Sequence, residues 1–261
     1  MKIAIVIPAR FGSKRLPGKP MVKVAGVSLL ERVWRIAKAV NGASGVFVAT
    51  DDARVAEHAA GFGARSIMTP SDVATGTDRV RAALHGMEDR PDAVINLQGD
   101  AVLTPPWVVQ ALVDEFLADP AVGMVTAAVR CSWLQLAAIQ ELKTHSPTSG
   151  TLVTMDKVGR ALYFSKAVIP YLRTQTFETP PVHRHIGIYG YSAEILDRLA
   201  TLEQTPLELA EQLEQLRALE NGIPIKVALV DYQGRTHGSV DTPEDIPVVE
   251  EIIAREGELV G

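Results

Sequence analysis

Lys2-Ile3-Ala4-Ile5-Val6-Ile7 is followed directly by Pro8-Ala9-Arg10-Phe11-Gly12-Ser13-Lys14-Arg15-Leu16-Pro17-Gly18-Lys19-Pro20. The apolar run is continuous and mostly β-branched, which is typical of a strand buried on both faces of a sheet. The thirteen residues after it contain two glycines, three prolines and four cationic side chains, so they predict a loop. Strands and helices then alternate across roughly the first 125 residues, and this pattern predicts an α/β fold with a mostly parallel sheet.

The loop has the composition of a phosphate-binding segment. Glycine lets backbone N–H groups approach a phosphate closely, and Lys and Arg place positive charge around it. Loops at the carboxyl ends of strands are also where open α/β sheets bind ligands. A P-loop is excluded, because five residues instead of four separate Gly12 from Gly18-Lys19 and because Pro20 stands where Ser or Thr is required. A dinucleotide site has no support either, since no G-x-G-x-x-G motif opens a helix here.

The composition narrows the class of protein. The chain has 261 residues, 47% of them hydrophobic, and we expect a single domain over residues 1–261. Its net charge of −5 argues against unspecific nucleic-acid or membrane-surface binding, which needs a broad cationic field. The one cysteine, Cys131, excludes an internal disulfide and a cysteine-based zinc site. Without a leader segment or an apolar run of membrane-spanning length, we expect a cytoplasmic protein with no membrane insertion.

Acidic residues follow two of the predicted strands. The strand Ala93–Leu97 is followed by Gln98-Gly99-Asp100. Mg²⁺ takes hard oxygen ligands, commonly one or two carboxylates completed by phosphate oxygens and water, so Asp100 is a candidate ligand. A Gly-Asp pair by itself is more often an ordinary turn. Asp51-Asp52, after the predicted strand 45–50, equally fits the first turn of a helix, where carboxylates suit the helix dipole.

Other polar strings allow a purely structural interpretation. Thr75 or Thr77 fits the N-cap of the helix that follows. A helix beginning at Pro206 would place its acidic residues in solvent and form an apolar stripe from the leucines at 209, 213, 216 and 219. Near the end of the chain, Thr242 fits the cap of a last helix and Pro243 its first position. None of these strings indicates a ligand by composition alone.

The loop 8–20 resembles the signature of the 3-deoxy-manno-octulosonate (Kdo) cytidylyltransferases, the CMP-Kdo synthetases. Further strings resemble other elements of that family: Thr75-Gly76-Thr77-Asp78-Arg79, Gln98-Gly99-Asp100, His185-Ile186-Gly187-Ile188-Tyr189-Gly190-Tyr191, Leu213-Glu214-Gln215-Leu216-Arg217 and Val240-Asp241-Thr242-Pro243-Glu244-Asp245. The matches run from Lys2 to about Asp245. They are weak from 131 to 158, and we interpret residues 131–154 as a disordered or divergent connector.

The resemblance implies a fold and a reaction. The fold is nucleotide-diphospho-sugar-transferase-like, a mostly parallel central sheet flanked by helices, with a smaller lobe at about 130–200 that covers the acceptor and contributes to a homodimer. In the reaction the anomeric hydroxyl of a 3-deoxy-2-ulosonic acid, first of all Kdo, attacks the α-phosphorus of CTP. The products are a CMP-sugar for bacterial surface polysaccharide, such as lipopolysaccharide, and pyrophosphate. Mg²⁺ is the implied cofactor.

The resemblance also implies site residues. Those implied for the nucleotide are Pro8, Ala9, Arg10, Arg15, Lys19, Thr75, Arg79 and Gln98. Those implied for the sugar acid are Gln98, Lys166, His185, Tyr189, Glu214 and Gln215. Those implied for catalysis are Asp100, Asp241, Lys19 and Arg10, with Asp100 and Asp241 as the Mg²⁺ ligands.

Four positions depart from the family pattern. Val73 stands where the family has His, Ala101 where it has Glu, Thr151 where it has Lys, and Lys166 where it has Arg. Lysine keeps the positive charge but loses the bidentate fork of arginine. Two alternatives therefore stay open: a nucleotidyltransferase for a different acid sugar or a sugar phosphate, and a catalytically quiet nucleotide-binding relative.

Overall fold

The computed structural model describes residues 1–13 and 15–260. Its strands are β1 (Ile3–Pro8), β2 (Lys23–Val24), β3 (Val27–Ser28), β4 (Gly45–Thr50), β5 (Arg65–Met68), β6 (Ala93–Asn96), β7 (Met124–Arg130), β8 (Leu152–Met155), β9 (Ala161–Ser165), β10 (His183–Ser192) and β11 (Ile225–Leu229). Its helices are α1 (Leu29–Lys38), α2 (Ala53–Gly61), α3 (Gly76–His85), α4 (Pro106–Ala118), α5 (Trp133–His145), α6 (Ala193–Leu199), α7 (Pro206–Glu211), α8 (Gln215–Glu220) and α9 (Asp245–Glu256).

One sheet forms the centre of the molecule, with the strand order β11-β7-β10-β6-β1-β4-β5. β1 pairs in parallel with β4 on one side and with β6 on the other, and β4–β5 and β7–β11 are also parallel. β10 is antiparallel to both of its neighbours, β6 and β7. β8 and β9 extend the sheet from β10 as an antiparallel pair. The mostly parallel α/β sheet predicted from the sequence is therefore confirmed.

Helices cover both faces of this sheet. Along β1, Ile3, Ile5 and Ile7 face a core shared with α1 and α4, whereas Val6 faces a second core shared with α3 and α6. All four side chains are fully buried. Alternate residues of a strand point to opposite faces, so a continuous apolar strand is what a sheet covered on both sides requires. Within the described residues no helix is both long enough and apolar enough to cross a membrane.

Residues 131–154, interpreted above as a disordered or divergent connector, contain α5 and most of β8, so the disordered alternative is wrong. α5 begins with a reciprocal capping box: Gln135 N–H donates to Ser132 Oγ at 3.2 Å, and Ser132 N–H donates to Gln135 Oε1 at 2.8 Å. Only Leu136 of this helix is buried, while Leu134 and Leu142 are exposed. The apolar residues of α5 therefore do not mark one face, which is why periodicity did not indicate a helix.

The single helix predicted from Pro206 through position 219 is also wrong, because the chain forms two short helices, α7 and α8. Gln212, between them, has a left-handed backbone with φ 55°. Leu209 of the predicted apolar stripe is 52% exposed, so the stripe does not continue through α7.

The last helix begins at Asp245 rather than at Pro243. The Asp245 carboxylate accepts hydrogen bonds from the backbone N–H groups of Asp241 and Thr242, both at 2.8 Å. Thr242 therefore precedes the helix without capping it. One of these two amides belongs to Asp241, a predicted catalytic residue, and the other to its neighbour.

The packing of β10 gives a test of the fold. A Cβ at Gly190 would lie 2.5 Å from the Phe116 ring and 2.9 Å from Ile95 Cδ1, so Gly190→Ala should lower the free energy of unfolding by about 2 kcal/mol. Gly187→Ala, in the same strand with no atom within 4 Å of its Cβ, is the matched control and should have little effect. Urea unfolding of both variants measures the difference, and equal effects would contradict this packing.

Candidate functional site

A cleft of about 580 Å³ lies where the loop after β1, the loop after β6, the start of α3 and the segment before α9 meet. Its lining residues are Pro8, Ala9, Arg10, Ser13, Arg15, Lys19, Pro20, Val73, Ala74, Thr75, Gly76, Arg79, Gln98, Gly99, Asp100 and Asp241. All residues predicted to contact the nucleotide belong to this set. The cleft is at the carboxyl ends of parallel strands, the position at which α/β sheets bind ligands.

Two carboxylates and one ammonium group form the charged centre of the cleft. Lys19 Nζ donates to Asp100 Oδ2 at 2.8 Å and to Asp241 Oδ1 at 3.0 Å. Arg15 donates to the same oxygen of Asp241 at 2.9 Å. The Lys19 side chain is 16% exposed, so its charge is largely withdrawn from bulk water. The structure thus brings together both predicted metal ligands, which are far apart in sequence, with two predicted nucleotide residues.

Local geometry explains why Lys19 reaches this position. The loop folds back on itself, because Gly18 N–H donates to Phe11 O at 3.1 Å. Gly18 has a left-handed backbone with φ 67°, a conformation that favours glycine, and it is followed by the 3₁₀ turn Lys19–Met21. The turn places the backbone of Lys19 where its ammonium group reaches both carboxylates.

Asp245, which sequence reasoning did not select, fixes Asp241. Burial alone would raise the pKa of Asp245, but hydrogen bonds from the Asp241 and Thr242 amides, with the positive charge of Lys19, hold this pKa below its ordinary value. Asp245 therefore remains ionised and keeps the backbone of Asp241 in place. The sequence feature that could have identified Asp245 is its position as the last residue of the family-like string 240–245.

Asp51 was also missed as a site residue. The buried Arg79 donates to Thr69 Oγ1 at 2.6 Å, and its second terminal nitrogen lies 3.3 Å from Asp51 Oδ2. Asp52 is the N-cap of α2, one position before the first turn in which the structural interpretation placed this pair. Thr75 is the N-cap of α3, in a reciprocal capping box with Asp78. Asp52 therefore caps a helix, while the adjacent Asp51 contacts Arg79, which lines the cleft.

Gln98 is held by the buried Asn96, whose Oδ1 accepts from Gln98 Nε2 at 3.0 Å. Asn96 Nδ2 is buried without a hydrogen-bond partner in the part of the chain that the structure describes. Asn96 is also the register partner of Tyr189 across the β6–β10 pair. This pairing places the strand that carries the predicted sugar residues next to the strand that delivers Gln98.

Lys166, His185 and Tyr189 form a second cluster outside the lining of the cleft. Lys166 Nζ donates to Thr151 Oγ1 at 3.0 Å, and His185 N–H donates to Thr151 O at 2.9 Å. The His185 and Tyr189 rings are 5.4 Å apart between centroids. In a regular strand, residues four apart lie about 13 Å apart. The β-bulge between Ile186 and Tyr189 therefore brings the two rings together.

Thr126 on β7 stabilises this bulge and orients His185. Its hydroxyl lies 2.8 Å from Ile188 O and 2.8 Å from His185 Nε2. A hydroxyl has one proton, which goes to the carbonyl, so Nε2 of His185 carries the proton donated to Thr126. Burial, and then the charges of Lys166 and His237, lower the pKa of His185 to about 3. The imidazole is neutral at physiological pH.

Glu214 and Gln215 line a small cavity of about 60 Å³ that shares Thr75 with the cleft. Burial raises the pKa of Glu214, although a hydrogen bond with Thr77 opposes this effect. Burial also raises the pKa of Tyr189, and Tyr191 and Glu214 add to this shift. Of the residues predicted to contact the sugar, Gln98 alone lines the large cleft, and the other five lie in the two adjoining groups.

The carboxylates of the cleft are the groups that could hold a metal ion. Among the described residues, no three or more His, Cys, Asp or Glu side chains form a metal-binding group. Asp100 and Asp241 alone offer two hard oxygen donors in a cleft with room for phosphate oxygens and water. This donor set fits Mg²⁺, which commonly takes few protein ligands, and it does not fit zinc.

Comparison with known proteins gives matches over most or all of the chain. A family model described as Cytidylyltransferase matches residues 4–227. The chain is 49% identical over 260 residues to a 3-deoxy-manno-octulosonate cytidylyltransferase of Maricaulis maris, covering 100% of both chains. It is 38% identical to an 8-amino-3,8-dideoxy-manno-octulosonate cytidylyltransferase of Shewanella sediminis, covering 97% and 99%. A solved CMP:2-keto-3-deoxy-manno-octonic acid synthetase complexed with CTP superposes with TM-score 0.87 and 36% identity, covering 98% and 100%.

The buried His185 predicts a pH-dependent stability. Because its folded-state pKa of about 3 lies below the ordinary value, the unfolded chain binds a proton that the folded chain does not as the pH falls from neutrality. Below about pH 6, this histidine should cost about 1.4 kcal/mol of folding stability per pH unit. Urea unfolding from pH 7 to pH 5 should therefore give a shallower loss for His185→Gln than for the unmodified chain. His145→Gln, which replaces an exposed histidine, is the control. If its loss of stability with falling pH is as shallow as that of His185→Gln, the effect does not come from the burial of His185.

Proposed function

This chain belongs to the cytidylyltransferase family, and from that premise we propose that it transfers the CMP group of CTP to the sugar acid 3-deoxy-manno-octulosonate. The family, the α/β fold and the nucleotidyltransferase class expected from the motifs are confirmed by the family model and by the full-length relatives. The main observation that supports the proposed site is that Asp100 and Asp241 both contact the Lys19 ammonium group inside the cleft.

The proposed reaction needs positioning and charge neutralisation more than covalent help from the protein. The triphosphate occupies the cleft, with Pro8 and Ala9 along its floor and Arg10, Arg15 and Lys19 around its phosphates. Thr75, Arg79 and Gln98 contact the rest of the nucleotide. Since Lys19 and Arg15 are held by carboxylates before the substrate arrives, their charges are already located where negative charge develops on the departing pyrophosphate.

Asp100 and Asp241 are the proposed ligands of Mg²⁺. Both carboxylates face the same ammonium group, so a cation is already favoured between them. When bound, Mg²⁺ would neutralise charge on the triphosphate and make the acceptor hydroxyl easier to deprotonate. Asp245 holds the backbone of Asp241 in place. With Mg²⁺ at the two carboxylates, Lys19 would be available to the phosphates.

The acceptor occupies the region between Gln98 and the second cluster. The ammonium group of Lys166 attracts the sugar carboxylate. Tyr189 keeps its phenolic proton because its pKa is raised by burial, so it can donate to a sugar hydroxyl. Glu214 and Gln215 contact further hydroxyls, and the neutral His185 packs against Tyr189. The smaller lobe at about 130–200 supplies Lys166 and β10 in this arrangement.

A second candidate acceptor is the 8-amino-3,8-dideoxy analogue. The relative from Shewanella sediminis bears that name, and the chain differs from the family pattern at Thr151 and Lys166, which contact each other here. Either product would be an activated sugar for bacterial surface polysaccharide, and the use of CTP suggests a cytoplasmic location.

The decisive test measures pyrophosphate release from CTP with a panel of sugar acids that includes both acceptors. We expect turnover with 3-deoxy-manno-octulosonate in the presence of Mg²⁺. Asp100→Asn should reduce it by at least about 100-fold, since one carboxylate of the pair is lost, while the melting temperature stays nearly unchanged. An active Asp100→Asn enzyme would contradict the role of this carboxylate.

The control is Asp114→Asn, which removes an exposed carboxylate on α4 and should leave turnover unchanged. A higher kcat/KM with the 8-amino sugar than with 3-deoxy-manno-octulosonate would identify the 8-amino sugar as the acceptor. CTP binding without pyrophosphate release from any acid would indicate a catalytically quiet relative.

We also propose a homodimer. The lobe exposes large apolar side chains: Leu134, Leu142, Tyr171 and Phe177 are 81%, 52%, 87% and 49% exposed. Exposed apolar groups in one region mark an interaction surface. Light scattering should give twice the chain mass, and Leu134→Glu should shift the protein toward the monomer. A monomeric unmodified protein at micromolar concentration would contradict this proposal.

A further inference from the structure

Lys166 directly follows β9, and its peptide groups are held from two sides. Glu211 Oε2 accepts a hydrogen bond from Lys166 N–H at 2.8 Å. Lys143 Nζ donates to Lys166 O at 2.5 Å and also to Ser149 O at 2.6 Å. The backbone of Lys166 is therefore fixed by two side chains from α7 and α5, neither of which lines the cleft.

Glu211 makes several contacts at this point. Its Oε1 accepts from Ser165 Oγ at 2.6 Å and from the Tyr163 hydroxyl at 3.4 Å. Ser165 Oγ accepts in turn from Ala167 N–H at 2.9 Å. One carboxylate at the end of α7 thus organises the end of β9 and the start of the following segment.

The charged residues around Lys166 leave its ammonium group free to bind a ligand carboxylate. Glu211 directs its oxygens to N–H and O–H donors, and among the described residues no carboxylate lies within 4.0 Å of Lys166 Nζ. The hydrogen-bond partner of that nitrogen is the neutral Thr151 hydroxyl, at 3.0 Å. Lys143 lies close enough for the Lys166 charge to lower the Lys143 pKa, after the larger effect of burial, while Glu211 opposes this change. Glu211 therefore holds the Lys166 backbone and moderates the repulsion between the two lysines without forming an ion pair with Lys166.

We propose that Glu211, assisted by Lys143, is a positioning residue that aims the Lys166 ammonium group at the carboxylate of the acceptor acid. The inference rests on the proposed function of Lys166. Glu211 lies three residues before Glu214, across the left-handed Gln212. The segment from α7 to α8 thus fixes the cation for the acid group and carries two residues proposed to bind the sugar hydroxyls.

Steady-state kinetics with the two substrates varied separately test this inference. Glu211→Ala should raise the KM for the sugar acid about tenfold, the effect of losing the hydrogen bonds that hold Lys166. The KM for CTP should stay within about twofold, because the cleft is untouched. Glu211→Gln, whose amide oxygen can still accept from Lys166 N–H, should restore most of the affinity for the acid.

Tyr163→Phe is the matched control, since it removes a hydrogen bond to the same carboxylate and leaves that of Lys166 intact. It should not change the KM for the acid. In a Lys166→Ala background, Glu211→Ala should add no further increase, because a positioning residue acts through the group it positions. An equal increase in both backgrounds, or an equal rise in the KM for CTP, would overturn the inference.

The failure of the inference is distinguishable from the failure of the proposed function. If Lys166→Ala alone leaves the KM for the acid unchanged, the role proposed for Lys166 is wrong, and the inference fails with it. If Lys166→Ala raises that KM but Glu211→Ala does not, only the positioning role is wrong. Should Glu211→Ala fail to fold, Lys143→Met provides the test, with a selective rise in the KM for the acid expected and an unchanged KM overturning the inference.

Discussion

The contact of Lys19 with two carboxylates is the constraint on which the site depends. Asp100 follows β6, Asp241 precedes α9, and Lys19 comes from the loop after β1, so three remote segments must end at one point. Two carboxylates held this close repel each other, and the charge between them offsets that repulsion. Both are partly exposed, so water screens them and the ammonium group can be exchanged for another cation. The same arrangement therefore holds the cleft together and, under the proposed function, would also accept a metal-bound triphosphate.

The antiparallel strand β10 places the residues proposed for the acceptor next to β6, the strand that leads into the nucleotide cleft. A wholly parallel sheet would present its next loop at the same edge as the nucleotide loops. β10 instead runs backwards beside β6, and its bulge draws His185 and Tyr189 to 5.4 Å. Thr126 on the neighbouring strand binds the carbonyl of Ile188 and the ring of His185. An irregular strand is thus fixed by its neighbour, and the irregularity brings together two residues proposed to bind the acceptor.

The sequence was informative where a local pattern and a family motif coincide. β1 and its loop, the Thr75 cap and the position of Asp100 could all be predicted, because apolar periodicity, capping and strand ends are local properties. α5 could not, since its apolar side chains are exposed and only the Ser132–Gln135 capping box marks its start. The break at Gln212 depends on a left-handed residue that is not glycine, which composition does not indicate. The roles of Asp51 and Asp245 depend on contacts made only after folding, with Arg79 and with the backbone of Asp241.

The two halves of the site hold their cations differently, and the difference matches the two substrates proposed for them. On the nucleotide side, Arg15, Lys19 and Arg79 each lie within 4.0 Å of a carboxylate. A triphosphate carries several negative charges and can compete for such cations. Under the proposed function, Mg²⁺ held by Asp100 and Asp241 would also weaken the hold of these carboxylates on Lys19 and Arg15. On the acceptor side, Lys166 contacts a neutral hydroxyl instead. A single sugar carboxylate brings one charge and no metal ion, so it would compete poorly against a protein carboxylate. An ammonium group that is held through its backbone, with its charge left available, is the arrangement that such an acid requires.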